Sequence, residues 1–308
     1  MSKILIVSES DDEHVQVISE RMTKRSVPWS WLQTDKLLEQ EGSWSIPNLD
    51  MDLECSWVDT DIGTVWYRKR QPLPIPTLDP VALFAQQEQE GFLASILLQY
   101  QHCRWVNSLA SLATARPKIN QLLVAKRMGF QIPHTIVTAS PGELKKFHGL
   151  HKGQVVAKPI QTQVVKLKEE SLVIGTRRLP LEAIEEAVTM APCYAQERLQ
   201  IESEIRVVVF GEQVFAFRMV PQAEADDLKQ LELDQIEHSV YPINDGLHKQ
   251  IRALVAELGL VFAACDFAIV RDRGLVFLEI NPNGQWLWLQ YMTRINLEDP
   301  FIDFLCEK

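Results

Sequence analysis

Glu279 and Asn281 stand two residues apart in the stretch Phe277-Leu-Glu-Ile-Asn-Pro-Asn-Gly-Gln-Trp286, so on a strand they face the same way. Asp266 lies in the apolar run just before it, Cys265-Asp-Phe-Ala-Ile-Val270, and Arg271-Asp-Arg-Gly274 can turn the chain between the two. A two-residue or a four-residue loop there sets Val270 beside Leu275 and Asp266 opposite Glu279. Carboxylates directly across a strand pair repel, so an apolar sheet that holds them suggests a cation between them. Asp, Glu and the Asn amide oxygen are hard donors, the set that suits Mg²⁺ bound together with phosphate oxygens. Nucleoside triphosphate chemistry is the implied use. A plainer reading stands beside it. Strand ends often carry acids that face water, and Asn281-Pro-Asn-Gly284 is a good turn sequence.

Other residues admit the same pair of readings. Lys158 ends the run Val155-Val-Ala-Lys158 before Pro159, where it either snorkels to solvent or meets a phosphate. Lys118 sits on a helical segment, where most lysines are solvated. Gln196-Glu197 followed by Leu199 reads as an edge strand. Arg206 lies inside an apolar strand, where an unpaired charge is costly, so it needs Glu204 or a ligand phosphate as partner. His14, His134, His148, His151 and His248 form no i, i+4 metal pair and no visible triad, and none is assigned a role. The cysteines, Cys55, Cys103, Cys193, Cys265 and Cys306, are odd in number and scattered without a Cys-x-x-Cys pair. They read as free thiols of a reducing cytosol, with neither zinc nor a cysteine nucleophile expected.

The elements that must position these residues are those of an α/β chain. At 308 residues and 46% apolar, the sequence can bury one large core or two to three smaller ones. A net charge of −10 argues against nucleic acid as the main partner. No apolar run approaches the length of a membrane span, and the N-terminus enters a strand directly, which implies a cytoplasmic protein. Ile4 to Val7 reads as a buried parallel strand, followed by a helix capped by Ser10 with Glu13 completing a capping box. Gly63 to Arg68 is a strand, Arg70 to Pro76 a proline-punctuated loop, and Val81 to Gln101 a long helix. A second segment opens at Pro117 with a helix that Gly129 stops. It continues through strand Ile132 to Val137, a helix capped by Ser140 with Glu143, strand Val155 to Lys158, and a hairpin within Glu169 to Arg178. A third begins near Tyr194. Its β runs Ile205 to Phe210 and Val214 to Val220 flank Gly211-Glu212, and a helix from Asp245 to Glu257 ends at Gly259. The acidic Glu224-Ala-Asp-Asp227 reads as a solvated loop. No Gly-x-Gly-x-x-Gly follows the first strand.

In this order — helix lysine, strand-end lysine, Gln-Glu-x-Leu, Glu-x-Arg, then Asp and Glu-x-Asn — the residues from Arg116 to Asn296 resemble the ATP-grasp superfamily. The resemblance implies two sheets that clamp ATP behind an N-terminal α/β pre-ATP-grasp domain. The expected domains are 1–115 for that first domain, 116–193 for the central subdomain and 194–308 for the C-terminal one. It further implies that Lys118 and Lys158 contact the phosphates and adenine, and that the Gln196, Glu197 and Leu199 segment forms the adenine hinge. Glu204 would take the ribose and Arg206 the γ-phosphate or acyl phosphate, with Arg206 and Lys158 the catalytic pair. Asp266, Glu279 and Asn281 would hold Mg²⁺, Asn281 also counting toward the nucleotide site. Ile4-Leu-Ile-Val-Ser-Glu-Ser-Asp-Asp-Glu-His14, Val65-Trp-Tyr-Arg68, Trp105-Val-Asn107, Lys118-x-x-Gln121, Ile132-Pro-His-Thr135 and Asn281 to Trp286 look like the microviridin-type (graspetide) macrocyclases. These phosphorylate a side-chain carboxylate of a ribosomal precursor peptide, leader plus core, and close an ester or amide ring; they are often homodimers. Two positions depart from that pattern: Asp234-Gln-Ile236 stands where Asp-Trp-Arg is expected, and Arg218 where an acidic residue is common. The ATP residues are shared with intermolecular carboxylate–amine ligases of the glutamate-adding type, and a non-catalytic peptide-binding module of the same fold is a third reading.

Overall fold

The computed structural model describes residues 2–37, 39, 44–45, 54–55, 59, 61–68, 79–160, 164–166, 171–173, 175–189, 191–222 and 231–307. The expected proline loop from Arg70 to Pro76, Glu169 at the start of the expected hairpin, and the acidic Glu224 to Asp227 lie outside them. Parallel and antiparallel sheets both occur, in two compact units: 1–108 with 296–308, and 109–295.

In the first unit β1 (Lys3–Ser8) is followed by α1 (Glu13–Lys24) and β2 (Trp29–Gln33). The short β3 (Trp44–Ser45) and β4 (Glu54–Cys55) pair with each other. Then come β5 (Ile62–Tyr67), α2 (Pro80–Leu98) and β6 (Arg104–Val106). The main sheet has the order β2-β1-β5-β6 and is parallel throughout. Ile4, Leu5, Ile6 and Val7 are all buried, as a strand covered on both faces requires. Ser10 does not cap α1. Its N–H and hydroxyl both donate to Asp35, at 2.8 and 2.6 Å, and Asp12 instead accepts from the His14 N–H. The C-terminal helix Glu298–Cys306 belongs to this unit, not to the last sheet. Phe301, Ile302, Phe304 and Leu305 are fully buried, Trp66 packs edge-on against Phe301 at 5.0 Å, and Asp299 accepts two bonds from Arg21.

The second unit begins with α3 (Leu109–Ala115) and α4 (Lys118–Arg127), which Gly129 ends at φ +84°. Then follow β7 (Thr135–Thr138), α5 (Pro141–Leu150) and β8 (Val155–Lys158). Ser140 caps α5 as read, accepting from the Glu143 N–H, while the Glu143 carboxylate bonds Lys146. β9 (Val164–Lys166) pairs with β10 (Ser171–Val173), but β11 (Arg177–Arg178) pairs with β8, so the hairpin is displaced from the one expected within Glu169 to Arg178. After α6 (Ile184–Ala187), β12 (Cys193–Glu197) enters between β8 and β7. The sequence reading put Tyr194 at the head of the last subdomain; antiparallel pairing on both sides makes it a member of the smaller sheet, β11-β8-β12-β7. The larger sheet, β15-β14-β13-β16-β17, is antiparallel. Its strands are β13 (Ile201–Phe210), β14 (Gln213–Pro221), β15 (Ile236–Val240), β16 (Phe262–Val270) and β17 (Gly274–Asn281). α7 (Asp245–Glu257) and α4 pack on one face of it, against Ile205, Val207, Val209, Cys265, Phe267 and Phe277. α8 (Leu287–Thr293) follows β17. Among the described residues no helix is long and apolar enough to cross a membrane.

One consequence concerns pH. His14 is buried on α1, and burial, then the Arg68 charge, lower its pKa from 6.5 to about 3. Below pH 6.5 the unfolded chain takes up a proton that the folded chain refuses, so stability falls as pH drops from 6.5 toward 3. A single proton of difference is worth about 1.4 kcal/mol per pH unit. Denaturant titrations between neutral pH and the start of carboxylate titration should show this loss, and His14→Gln should flatten it; an identical slope in the variant would remove His14 as the source.

Candidate active site

The hairpin of β16 and β17 carries the first three site residues, and its register departs from simple pairing. Val270 lies opposite Gly274 and Phe267 opposite Phe277, one residue away from the expected match of Val270 with Leu275. A bulge between Phe267 and Asp266 then shifts the pairing, and Asp266 lies opposite Glu279 as expected. The unpaired residue is Leu278. Because an extra residue reverses the alternation of faces, Phe277 points into the helix-covered core while Glu279, two residues on, shares the open face with Asp266. Asn281, opposite Ala264, is on that face too.

The repulsion between the two carboxylates is met by protein cations. Arg206 on β13 lies directly opposite Asp266 and its Nη1 donates to both carboxylate oxygens, at 2.6 and 2.7 Å. Lys118, the first residue of α4, stands 3.4 Å from Glu279. The row Lys118, Glu279, Asp266, Arg206 therefore alternates in sign across β17, β16 and β13. Burial opposes the Arg206 charge, but Asp266, with Glu279 behind it, leaves its pKa raised. Arg206 Nη2 donates to the Gln285 carbonyl at 3.0 Å, and its Nε is buried with no hydrogen-bond partner among the described residues. The loop after β17 folds back closely enough that a Cβ on Gly284 would lie 2.4 Å from the Ala264 Cβ and 3.1 Å from Arg206 Nη2. Only glycine passes there. Glu204, two residues before Arg206, shares its face by strand alternation and lies opposite Ala268.

Gln121 fixes this edge. β17 is the last strand of its sheet, and the buried Gln121 side chain pairs with the Ile280 backbone as a neighbouring strand would. It donates to the Ile280 carbonyl at 2.8 Å and accepts from the Ile280 N–H at 3.1 Å. A further bond to the Ala115 carbonyl anchors it. Ile280 lies between Glu279 and Asn281, so the glutamine holds both. The sequence showed Gln121 only as one member of a motif; its partner is too distant along the chain for spacing to reveal it.

The remaining predicted residues lie on the smaller sheet. Lys158 ends β8 opposite Tyr194 of β12. Burial, then the charge of Glu279, raise the Tyr194 pKa. Gln196 is buried and donates to Thr135 Oγ1 at 3.0 Å and to the Tyr194 hydroxyl at 2.9 Å, so its side chain is spent inside the sheet. Glu197 accepts from the His134 N–H at 2.8 Å and from Arg273 at 2.6 Å. Burial opposes the Glu197 charge, but these bonds leave its pKa lowered. Arg273, at the β16–β17 turn, was not singled out in the sequence; it also donates to the Ile132 carbonyl. Leu199 packs beside Ala268, Val270 and Val276. Of the two departures, Arg218 donates to Ser203 Oγ at 3.0 Å, and its register, opposite Ile205, puts it on the sheet face away from Arg206. Ile236 is buried at the start of β15.

These features, a four-stranded and a five-stranded antiparallel sheet in one unit with cations and hard oxygen donors along one face of the larger, are those of an ATP-grasp ligase fold. No family model and no curated protein sequence matches the chain. Solved structures do, over nearly its whole length. The macrocyclase MdnB from Microcystis aeruginosa MRC is 25% identical with a TM-score of 0.80, covering 100% of both chains. A Chryseobacterium gregarium RiPP-associated ATP-grasp ligase, in complex with ADP and a leader and core peptide, is 24% identical with a TM-score of 0.80, covering 99% of this chain and 97% of that one. The ATP-grasp ligase PsnB, complexed with minimal precursor, Mg and ADP, is 22% identical with a TM-score of 0.76, covering 98% and 96%.

Gln121→Leu keeps the volume near constant and leaves the Ile280 N–H and carbonyl without their partners. The expected cost is about 2 kcal/mol or more, seen as a fall of roughly 5 °C in the unfolding temperature. An unchanged melting curve would show that the edge of β17 does not depend on this side chain.

Proposed function

We propose that the chain is an ATP-dependent ligase that activates a side-chain carboxylate of a ribosomal precursor peptide and closes an ester or amide ring within that peptide. The observation that carries the reading is the charge-balanced row Lys118, Glu279, Asp266, Arg206, with Asn281 beside it, in a chain that follows peptide-modifying ATP-grasp ligases from end to end. In this reading the sheets β11-β8-β12-β7 and β15-β14-β13-β16-β17 are the two jaws around the nucleotide, and the unit that holds the parallel sheet is the pre-ATP-grasp domain.

The donor set fits Mg²⁺: two carboxylates and an amide oxygen on one face, each carboxylate already beside a cation. Asp266, Glu279 and Asn281 would hold the ion, which supplies positive charge to the phosphate oxygens when bound. Arg206 and Lys118 now neutralise those carboxylates. With a triphosphate bound, Arg206 and Lys118 would turn to its phosphate oxygens while Asp266 and Glu279 would hold the ion, so no charge would be buried alone. The orphaned Arg206 Nε is a ready donor for that anion. Lys158 serves the phosphates from the smaller sheet, Glu204 the ribose, and the backbone of Gln196, Glu197 and Leu199 the adenine edge.

A carboxylate is a poor electrophile because its leaving group would be oxide. Attack of its oxygen on the γ-phosphorus expels ADP and gives an acyl phosphate, and Arg206, Lys118 and Lys158 offset the charge that gathers on the transferring group. A hydroxyl or amine of the same peptide then attacks the acyl carbon, phosphate leaves, and the nucleophile's proton is lost to solvent. The net change is one water lost per ring. Because the nucleophile is tethered, proximity supplies much of the rate. With this reading go a cytoplasmic location, supported by the free thiols Cys103, Cys193, Cys265 and Cys306, and a homodimer, carried from the resemblance alone.

The test is incubation of the purified protein with a leader-plus-core peptide, ATP and Mg²⁺, followed by mass spectrometry and ADP measurement. One water lost per ring with matching ADP release is expected. Glu279→Gln should lower turnover by about 10²-fold or more with circular dichroism unchanged, and Asp266→Asn should do so with a lowered unfolding temperature as well, since Arg206 loses its anion; undiminished turnover in Glu279→Gln would sink the assignment of the carboxylates. Transfer to a free amino acid instead would favour the intermolecular ligase.

A further inference from the structure

Two histidines without an assigned role meet at the far end of β12. An imidazole nitrogen of His134, one of His151 and a carboxylate oxygen of Glu197 lie within 4.8 Å of one another. The ring centroids are 5.3 Å apart, with the planes at 60°. Two imidazoles bound to one tetrahedral cation at about 2.0–2.1 Å place their centroids roughly 5 Å apart. Simple ring packing spans the same distances, but it gives no reason for nitrogens of both rings to gather at one carboxylate.

Three further observations point to a ligand. His151 Nε2 is buried with no hydrogen-bond partner among the described residues, a costly state for a polar atom. Glu197 is held in place: the His134 backbone N–H and the Arg273 side chain both donate to its Oε1, at 2.8 and 2.6 Å, which orients Oε2 as the remaining metal-ligating oxygen. Both histidines also line a cavity of about 550 Å³ walled by Ile119, Leu123, Phe147 and Leu150, which provides entry and room for a water as fourth ligand.

We propose that His134, His151 and Glu197 form a binding site for one divalent transition cation, with Zn²⁺ the natural probe and the fourth position open to the cavity. Two imidazoles and one carboxylate favour a borderline ion, whereas the all-oxygen set of Asp266, Glu279 and Asn281 favours a hard one, so the two sites select different metals. The Arg273 charge beside Glu197 makes the site weaker than a closed four-ligand structural site. A cation there ties the start of β7, the end of α5 and the end of β12 together.

The experiment uses the full chain, stripped with a chelator and exchanged into buffer with excess Mg²⁺, then titrated with Zn²⁺ by calorimetry. One equivalent should bind, and His134→Ala and His151→Gln should each weaken binding by about 10-fold or more. His134 is exposed, so its variant keeps the fold and decides the matter even if His151→Gln is unstable. Co²⁺ should give visible bands of a four-coordinate site that both variants abolish. No uptake of Zn²⁺ by the wild type, or wild-type affinity in His134→Ala, would overturn the proposal.

Discussion

The site depends on one constraint: a guanidinium inside an apolar sheet must have its anion. Arg206 sits mid-strand on β13, and Asp266, directly across on β16, meets it with both oxygens. An unpaired charge at that depth would cost several kcal/mol. Once Asp266 is required, Glu279 beside it needs its own cation, and Lys118 supplies one from the first turn of α4. That position holds only while α4 stays docked on the edge of β17, which is what Gln121 achieves through the Ile280 backbone. Helix, edge strand and charge row thus form a single dependency.

The bulge at Leu278 lets one strand serve both core and chemistry. Without it, Phe277 and Glu279 would share a face, and burying the phenyl ring would bury the carboxylate with it. With it, Phe277 joins Phe130 and Phe267 in the core while Glu279 and Asn281 lie on the opposite face. The fold-back of the following loop, possible only with glycine at 284, then brings the Gln285 carbonyl onto Arg206. Charge pairs of this kind are exchangeable, since each member accepts an opposite charge from a ligand at little electrostatic loss. That is the property a nucleotide site needs if its empty state is not to hold uncompensated charge.

Much of this was legible in residue order. Strand β1, helices α2, α4, α5 and α7, and the hairpin of β13 and β14 follow from apolar periodicity and local punctuation such as Ser140, Gly129 and Gly211. The opposition of Asp266 and Glu279 was read correctly, although the turn alone would not have produced it: pairing begins one residue off and the bulge restores it. The cap of α1 was misread because Ser10, a good capping residue, found Asp35 across the unit. The placement of β12 was misread because its neighbours in space, β7 and β8, precede it by many residues.

The sequence by itself determined which residues offer hard oxygen donors and which cations could meet a phosphate, and their order was enough to point to the fold. Such signals are short-range: residue type, alternation and turn chemistry. Only the tertiary structure decided how charge is balanced, that Arg206 answers Asp266 and Lys118 answers Glu279, and that Gln121 pins the strand between. It alone also gathered His134, His151 and Glu197, which no spacing rule could join. The physical reason is the same in each case. These contacts close long loops, and their free energy comes from neighbours across strands and helices, so nothing local in the chain records them.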